Sequence, residues 1–230
     1  MNTITTNARR GLTTLATSVY EAVREDIVQG ALTPGTKLKI GEMQKRYDCG
    51  ATPIREALNR LAMERFAVQA DQRGFVVAPI SIEDLAEITE ARCLLYTLLL
   101  PLSIKLGDDK WEESVVLAHH RLGKFNLKED YLSVEGRLAH KRFHRALVSA
   151  SPSQFLIEML DILFDFADRY RFIAASKADF AARQTASREH DLIVEHALRR
   201  EADDALEILQ RHVREATSLL HNSLVNEGLG

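Results

Sequence analysis

Apolar residues recur along most of this chain at intervals of three and four, the spacing that gives an α-helix one face fit for burial. The first such run, Val19, Ala22, Val23 and Ile27, predicts a helix over 18–29 that Gly30 ends. Leu32-Thr33-Pro34-Gly35 then reads as a turn. Two short helices follow, over 40–47 and 52–64, joined by Asp48-Cys49-Gly50-Ala51, with Pro53 in the first turn of the second. After Phe66 the period shortens to two, which predicts strands over 67–70 and 74–78 with Asp71-Gln72-Arg73-Gly74 as their turn. From Ser81 the pattern is helical throughout. About six helices are expected, over 82–106, 109–125, 129–150, 152–174, 178–200 and 202–226, punctuated by Gly107, Pro152 and Asp203-Asp204. The change of period at Pro79-Ile80 places a domain boundary, giving 1–79 and 80–230.

Two short helices with a glycine-containing turn and a hairpin behind them describe a winged helix-turn-helix, whose second helix enters the DNA major groove. On that helix Ile54, Ala57, Leu58 and Leu61 face inward, while Thr52, Arg55, Glu56, Asn59 and Arg60 face outward. An arginine near the start of the helix is placed to pair bidentately with guanine. Lys37, Lys39 and Lys45, with Arg73 and Gly74 at the wing, are expected at the phosphates. The same pattern also fits a small α/β subdomain with a solvated charged helix. Charge placement favours the first reading. The chain as a whole carries −3, yet residues 1–80 hold 11 Lys/Arg against 8 Asp/Glu and the remainder 19 against 25. A basic first third on an acidic remainder suits a phosphate-binding module attached to something else.

With 230 residues, 46% hydrophobic and 27% charged, the chain can bury a sizeable core and has the balance of a soluble globular protein. Cys49 and Cys93 do not make a disulfide framework and fit a reducing cytoplasm. Residues 1–11 lack the apolar stretch of a signal peptide. The most apolar segment, 94–104, falls short of the ~20 residues a bilayer requires. A cytoplasmic protein is expected.

The helical region places ionisable residues on core faces, where an unpaired group costs several kcal/mol. His140 and His144, four apart, sit one above the other beside Leu147. His190 shares a stripe with Ala186, Ile193 and Ala197, and His212 with Ala205, Leu209, Ala216 and Leu219. Each alone reads as a hydrogen-bonded core residue. Together they read as a metal site with nitrogen ligands suited to zinc, nickel or copper. His119, His120, His196 and His221 show no such arrangement. Arg92 lies in the inward stripe Leu85, Ile88, Arg92, Leu95, Leu99, Leu102. Its guanidinium needs an acid, either Asp161, Asp165 or Glu189 within the protein or the carboxylate of an effector.

Residues 18–78 resemble the N-terminal domain of the GntR family of bacterial regulators. The resemblance rests on Ile27-Val28-Gln29-Gly30, on Leu32-Thr33-Pro34-Gly35-Thr36-Lys37-Leu38, on the run from Thr52-Pro53-Ile54-Arg55 to Leu61, and on Arg73-Gly74-Phe75-Val76-Val77. It implies a base contact for Arg55. The family's Ser-Arg before Thr-Pro is replaced by Gly50-Ala51, so one arginine contact is missing. The remainder is similar to the ligand-sensing FCD domain of the FadR-like branch, a bundle of six or seven helices enclosing a metal and a carboxylate. Phe143-His144, Glu189-His190 with Ala197, His212-Val213 and Glu90-Ala91-Arg92 carry that match. Two positions depart from it. His140 stands where the family has an aspartate ligand, and Tyr96 where an acid usually follows the first-helix arginine. A four-imidazole site is softer than the usual one, which points to zinc or nickel rather than manganese. Arg169-Tyr170-Arg171-Phe172-Ile173 and the turn at Gly107-Asp108-Asp109 are similar to members answering to small dicarboxylates. Arg92, Tyr96, Arg169 and Tyr170 are therefore the expected effector contacts.

The resemblance implies a homodimeric transcription regulator, a repressor in the commoner arrangement. Its affinity for double-stranded operator DNA would be set by a carboxylate near a divalent metal, and it would not be an enzyme. Two other classes fit the residues less well. A metal-dependent hydrolase would use the histidines with Glu189 or Asp191, but the chain has no H-E-x-x-H, nucleophile elbow or phosphate loop. A helical protein-binding adaptor would make the histidines purely structural.

Overall fold

The computed structural model describes residues 14–70, 74–125, 133–174 and 180–226. The chain divides into two units, Met1–Pro79 and Ile80–Gly230.

In the first unit, Thr14 caps α1 (Leu15–Val28) by accepting from the Thr17 amide at 3.2 Å. The helix therefore begins earlier than its apolar stripe. β1 (Lys37–Leu38) leads into α2 (Ile40–Tyr47), which ends at Asp48 in the left-handed conformation, φ 48°. Aspartate tolerates that region better than most residues. α3 (Ala51–Met63) follows, then β2 (Ala67–Ala70) and β3 (Gly74–Val77). The three strands form an antiparallel sheet in the order β1-β3-β2, with Lys37 and Val68 flanking Val76. β1 was not expected, since two residues are too few to show an alternation. Its membership makes the wing a three-stranded sheet. Val19, Val23, Met43, Ile54, Leu58, Leu61, Phe66 and Val77 are buried together in this unit, and α1 packs chiefly on α3. Each such aliphatic side chain contributes about 1.5–3 kcal/mol by leaving water.

The second unit contains six helices among the described residues: α4 (Ile82–Leu106), α5 (Asp109–Gly123), α6 (Val134–Val148), α7 (Gln154–Ala174), α8 (Phe180–Leu198) and α9 (Ala202–Asn226). Ser81 caps α4, Asp108 caps α5 and Ser133 caps α6, each side chain accepting an amide three residues on. The expected start of α6 at 129 lies outside the described residues, and the described helix opens after the Ser133 cap. Gly107 allows the Trp111 ring to lie on the backbone where a Cβ would overlap it. α4 packs on α9, α7 and α6, and α8 on α9 and α5. The larger core joins Tyr96, Leu99, Trp111, Phe143, Leu160, Ile193 and Leu209. A smaller one joins Leu85, Ile88, Ala167, Tyr170 and Leu224.

Leu102, expected inside, is exposed, and so are Leu94, Leu98 and Leu106 at the same four-residue spacing. α4 is apolar nearly all round, so periodicity alone could not choose its inner face. Leu219, expected beside His212, is exposed as well. No helix among the described residues is long and apolar enough to cross a membrane.

Candidate metal and effector centre, and the DNA-reading helix

α3 buries Ile54, Ala57, Leu58 and Leu61 and exposes Thr52, Arg55, Glu56 and Asn59, as its sequence requires. Arg55 has no ion pair among the described residues. Arg60 is held differently. Its guanidinium lies 3.9 Å from the Tyr20 ring centre and donates to the Thr17 hydroxyl at 3.3 Å, which ties it to α1. Lys37 and Lys45 are exposed, and Lys39 pairs with Glu42 at 2.8 Å. Gly74 opens β3 at φ 88°, a conformation that glycine adopts without strain. Arg73 lies outside the described residues.

In the helical unit, α6 supplies His140 and His144, α8 supplies His190 and α9 supplies His212. One ring nitrogen from each lies within 4.8 Å of all the others. Nε2 of His140 is 3.1 Å from Nε2 of His144, and Nε2 of His190 is 3.1 Å from Nε2 of His212. All four rings are buried, walled by Phe143 and Phe164. Burial is the largest cause pushing every one of their pKa values below the ordinary histidine range. Neighbouring rings or guanidinium groups add to it, and only at His212 does a carboxylate, Glu189, oppose it. The rings are therefore neutral, the state in which imidazole binds a metal. Outer partners orient two of them. The Tyr96 hydroxyl is 3.0 Å from His144 Nδ1, and the Glu189 carboxylate is 2.8 Å from His212 Nδ1. His190 Nδ1 is buried without a hydrogen-bond partner. Converging neutral nitrogens backed by hydrogen bonds fit a borderline divalent metal such as zinc.

Arg92 is 5% exposed and stacks 4.9 Å from the Phe164 ring centre. None of the three acids expected as internal partners pairs with it. Asp161 pairs with Arg145, Asp165 with Lys141, and Glu189 with His212 and Arg211. Among the described residues Arg92 has no ion pair, and its Nε has no hydrogen-bond partner. Its positive charge lies close enough to Tyr96, the fully buried residue expected near the effector, to oppose the burial that raises the pKa of that hydroxyl.

Arg169 and Tyr170 are not brought to the histidines. Tyr170 donates to Asp84 at 2.7 Å and accepts from the Ser81 amide at 3.4 Å, inside the smaller core. Burial there pushes the Tyr170 hydroxyl well above its ordinary range and lowers the pKa of Arg169. The residue of α7 that does reach the cluster is Arg171, whose guanidinium is 2.6 Å from His140 Nδ1 and stacks on Phe164. Buried Asp168 lies 3.7 Å from it and 3.5 Å from Arg137. Sequence reasoning missed Arg171, Phe164 and Asp168 as a group. Their spacing of three, four and seven, which puts them on one helix face, was the available clue.

Comparison with known proteins agrees with both halves. Residues 15–77 match the bacterial regulatory proteins of the gntR family, and residues 87–215 match the FCD domain. The HTH-type transcriptional repressor GlaR of Escherichia coli K12 is 32% identical over 84% of this chain and 90% of its own length. The HTH-type transcriptional regulator BphR of Paraburkholderia xenovorans is 31% identical over 90% of this chain and 85% of its own. Among solved structures, E. coli McbR/YncC aligns with a TM-score of 0.78 at 18% identity, covering 92% of this chain and 99% of that one. A GntR regulator from Rhodococcus sp. RHA1 aligns at 0.74 and 19%, covering 89% and 96%. At those identities the structures speak for the fold alone. The chain belongs to the GntR family of bacterial transcription regulators, with an N-terminal helix-turn-helix domain that binds DNA and a C-terminal FCD domain that binds a small ligand, and it is not an enzyme.

Proposed function

We propose that this regulator is a cytoplasmic repressor in which the α3 helices of a homodimer read two half-sites of a palindromic operator. Residues 1–79 would bind the duplex, and residues 80–230 would bind the metal and effector and dimerise. Thr52, Arg55, Glu56 and Asn59 would face base edges. Lys37, Lys45, Arg73 and Gly74 would meet the backbone, with Arg60 positioned from the side by Tyr20. The exposed stripe of Leu94, Leu98, Leu102 and Leu106 on α4 is the surface that suits the dimer. Repression is the activity named for the GlaR relative, and it is adopted here on that similarity.

The effector is a small carboxylate, and one observation carries this reading: Arg92 is a buried guanidinium without an acid. A cation in such a place is strongly disfavoured until an anion joins it. His144, His190, His212 and His140 are the residues available to a divalent metal, zinc in the first instance. The metal's contribution when bound would be a Lewis-acid anchor for a carboxylate oxygen. Arg92 would clamp the carboxylate, and Phe143 and Phe164 would keep water away. Effector binding alters operator affinity only as far as it prefers one arrangement of the dimer over another.

Thermal-shift titration with small mono- and dicarboxylates, on protein of measured metal content, tests this. A dicarboxylate should stabilise the wild type and should lose most of that effect in Arg92→Ala. Equal stabilisation of both proteins would refute the clamp. Less than about a tenth of an equivalent of metal with full effector response would refute the metal.

A further inference from the structure

We propose that only three of the four clustered histidines, His144, His190 and His212, are metal ligands, and that His140, locked by Arg171, faces the remaining coordination position as an Nε2–H donor to the bound carboxylate. The inference rests on the metal reading above and refines it.

The ligand set follows from where protons can sit. A guanidinium has N–H donors and no acceptor, so the 2.6 Å contact from Arg171 to His140 Nδ1 requires a lone pair on that nitrogen. A neutral imidazole with a lone pair on Nδ1 carries its proton on Nε2. His140 Nε2 therefore donates across the 3.1 Å gap to His144 Nε2, which must accept. His144 then holds its proton on Nδ1, where the Tyr96 oxygen accepts it at 3.0 Å. On the other side of the cluster, the Glu189 carboxylate accepts from His212 Nδ1 at 2.8 Å, which leaves the lone pair of His212 on Nε2. His144 and His212 thus already aim lone pairs inward, each backed by a fixed acceptor. Such backing is what metal-binding imidazoles generally have.

The two remaining rings are not equivalent. His190 donates from Nε2 to His212, and its buried Nδ1 faces no donor, so its proton can move to Nδ1 at the cost of one buried N–H without an acceptor. For His140 the same move would put an N–H against the N–H of a guanidinium cation. Arg171 is kept near by Asp168, at 3.7 Å, and by the Phe164 ring. His140 consequently faces the cluster as a donor. Three nitrogen ligands with one open position is the arrangement of a site that exchanges a bound group. A donor beside that position selects an anionic oxygen, which Arg92 can grip as well.

Nitrogen-15 correlation spectra of the metal-free protein read the tautomers directly. His140 should show its proton on Nε2, and His144 and His212 on Nδ1. His140 protonated on Nδ1 would overturn the proposal. Cobalt(II) titration gives the second readout, on protein whose fold is checked by circular dichroism. His140→Leu should keep cobalt affinity within about threefold and leave the visible bands unchanged. His144→Leu, His190→Leu and His212→Leu should each lose more than about 100-fold, beyond the worth of a supporting partner. Arg171→Met should strengthen both binding and band intensity by freeing His140 to ligate, and His140→Leu added to it should restore the wild-type spectrum. If His140→Leu costs as much as the other three, all four rings are ligands and the proposal is wrong. If wild-type protein takes up no cobalt, the metal reading itself fails, and the tautomer spectra still decide the role of Arg171.

Discussion

Lowering the pH of the metal-free protein should unfold the FCD domain far more readily than an ordinary helical bundle. His140, His144 and His190 are held neutral by burial, with pKa values well below the usual range, whereas in the unfolded chain each titrates near ~6.5. Well above pH 6.5 neither state binds these protons and the rings are neutral toward stability. As the pH falls below that value, the unfolded chain takes up protons that the folded chain refuses, so stability drains away. At pH 5.5 each such ring costs on the order of 1 kcal/mol relative to pH 8, and the three together a few kcal/mol. His212 adds less, because Glu189 partly offsets its burial. Against a typical domain stability of ~5–15 kcal/mol, that is a large fraction.

The chain's single tryptophan, Trp111, is buried in the core of this domain, so its fluorescence reports the right unfolding event. Urea midpoints of chelator-treated protein would be compared at the two pH values for wild type and His190→Asn. Removing one ring should shrink the pH-dependent loss by on the order of 1 kcal/mol, and the carboxylates common to both proteins cancel in that difference. An identical loss in the two proteins would refute the claim that the rings are kept neutral by the fold.

Two further outcomes follow from surface residues. Arg55→Ala should fold normally, since the side chain is exposed, and should weaken operator binding in fluorescence anisotropy by about 1–3 kcal/mol; Arg60→Ala should instead also lower the melting temperature, because Arg60 packs on Tyr20. Leu98→Glu with Leu102→Glu places two charges in the exposed leucine stripe of α4 and should yield monomers by sedimentation velocity without loss of helix; an unchanged dimer would put the interface elsewhere.

What could be read from the sequence was whatever depends on local period. The elements lie within a few residues of their expected bounds, and the inward face of α3 agrees residue for residue because Ile54, Ala57, Leu58 and Leu61 alternate with charge. Where period is uninformative, so was the reading. Two-residue β1 has none, and α4 has apolar residues on every side. The spacing of His140 and His144 placed two rings on one helix face, but their convergence with His190 and His212 depends on how three helices pack. On α7 the error was one of phase. Arg169 and Arg171 are two residues apart, about 200° around the helix, so choosing Arg169 and Tyr170 chose the face that meets Asp84 rather than the histidines. The directions of the hydrogen bonds around His140 were beyond any pattern, because Arg171 reaches it across thirty-one positions.

The charge inventory of the centre also explains why a sensor would place histidine where its family has an acid. Four neutral imidazoles contribute no negative charge. Arg92 and Arg171 both stack on Phe164, and buried Asp168 already lies near Arg171 and Arg137. Burial raises the pKa of Asp168, against the lowering effect of Arg171 and Arg137. A divalent metal added to this set would make the interior more cationic still, in surroundings where water cannot help. An aspartate ligand would cancel part of that excess permanently, whether or not effector was present. With His140 instead, Glu189 at His212 is the one carboxylate touching the four rings among the described residues, and the rest of the compensating charge would arrive with the ligand. Metal and carboxylate should therefore each tighten the binding of the other by one common factor, as reciprocity of coupled sites demands. A regulator built this way would respond more strongly to the anion when the metal is in place.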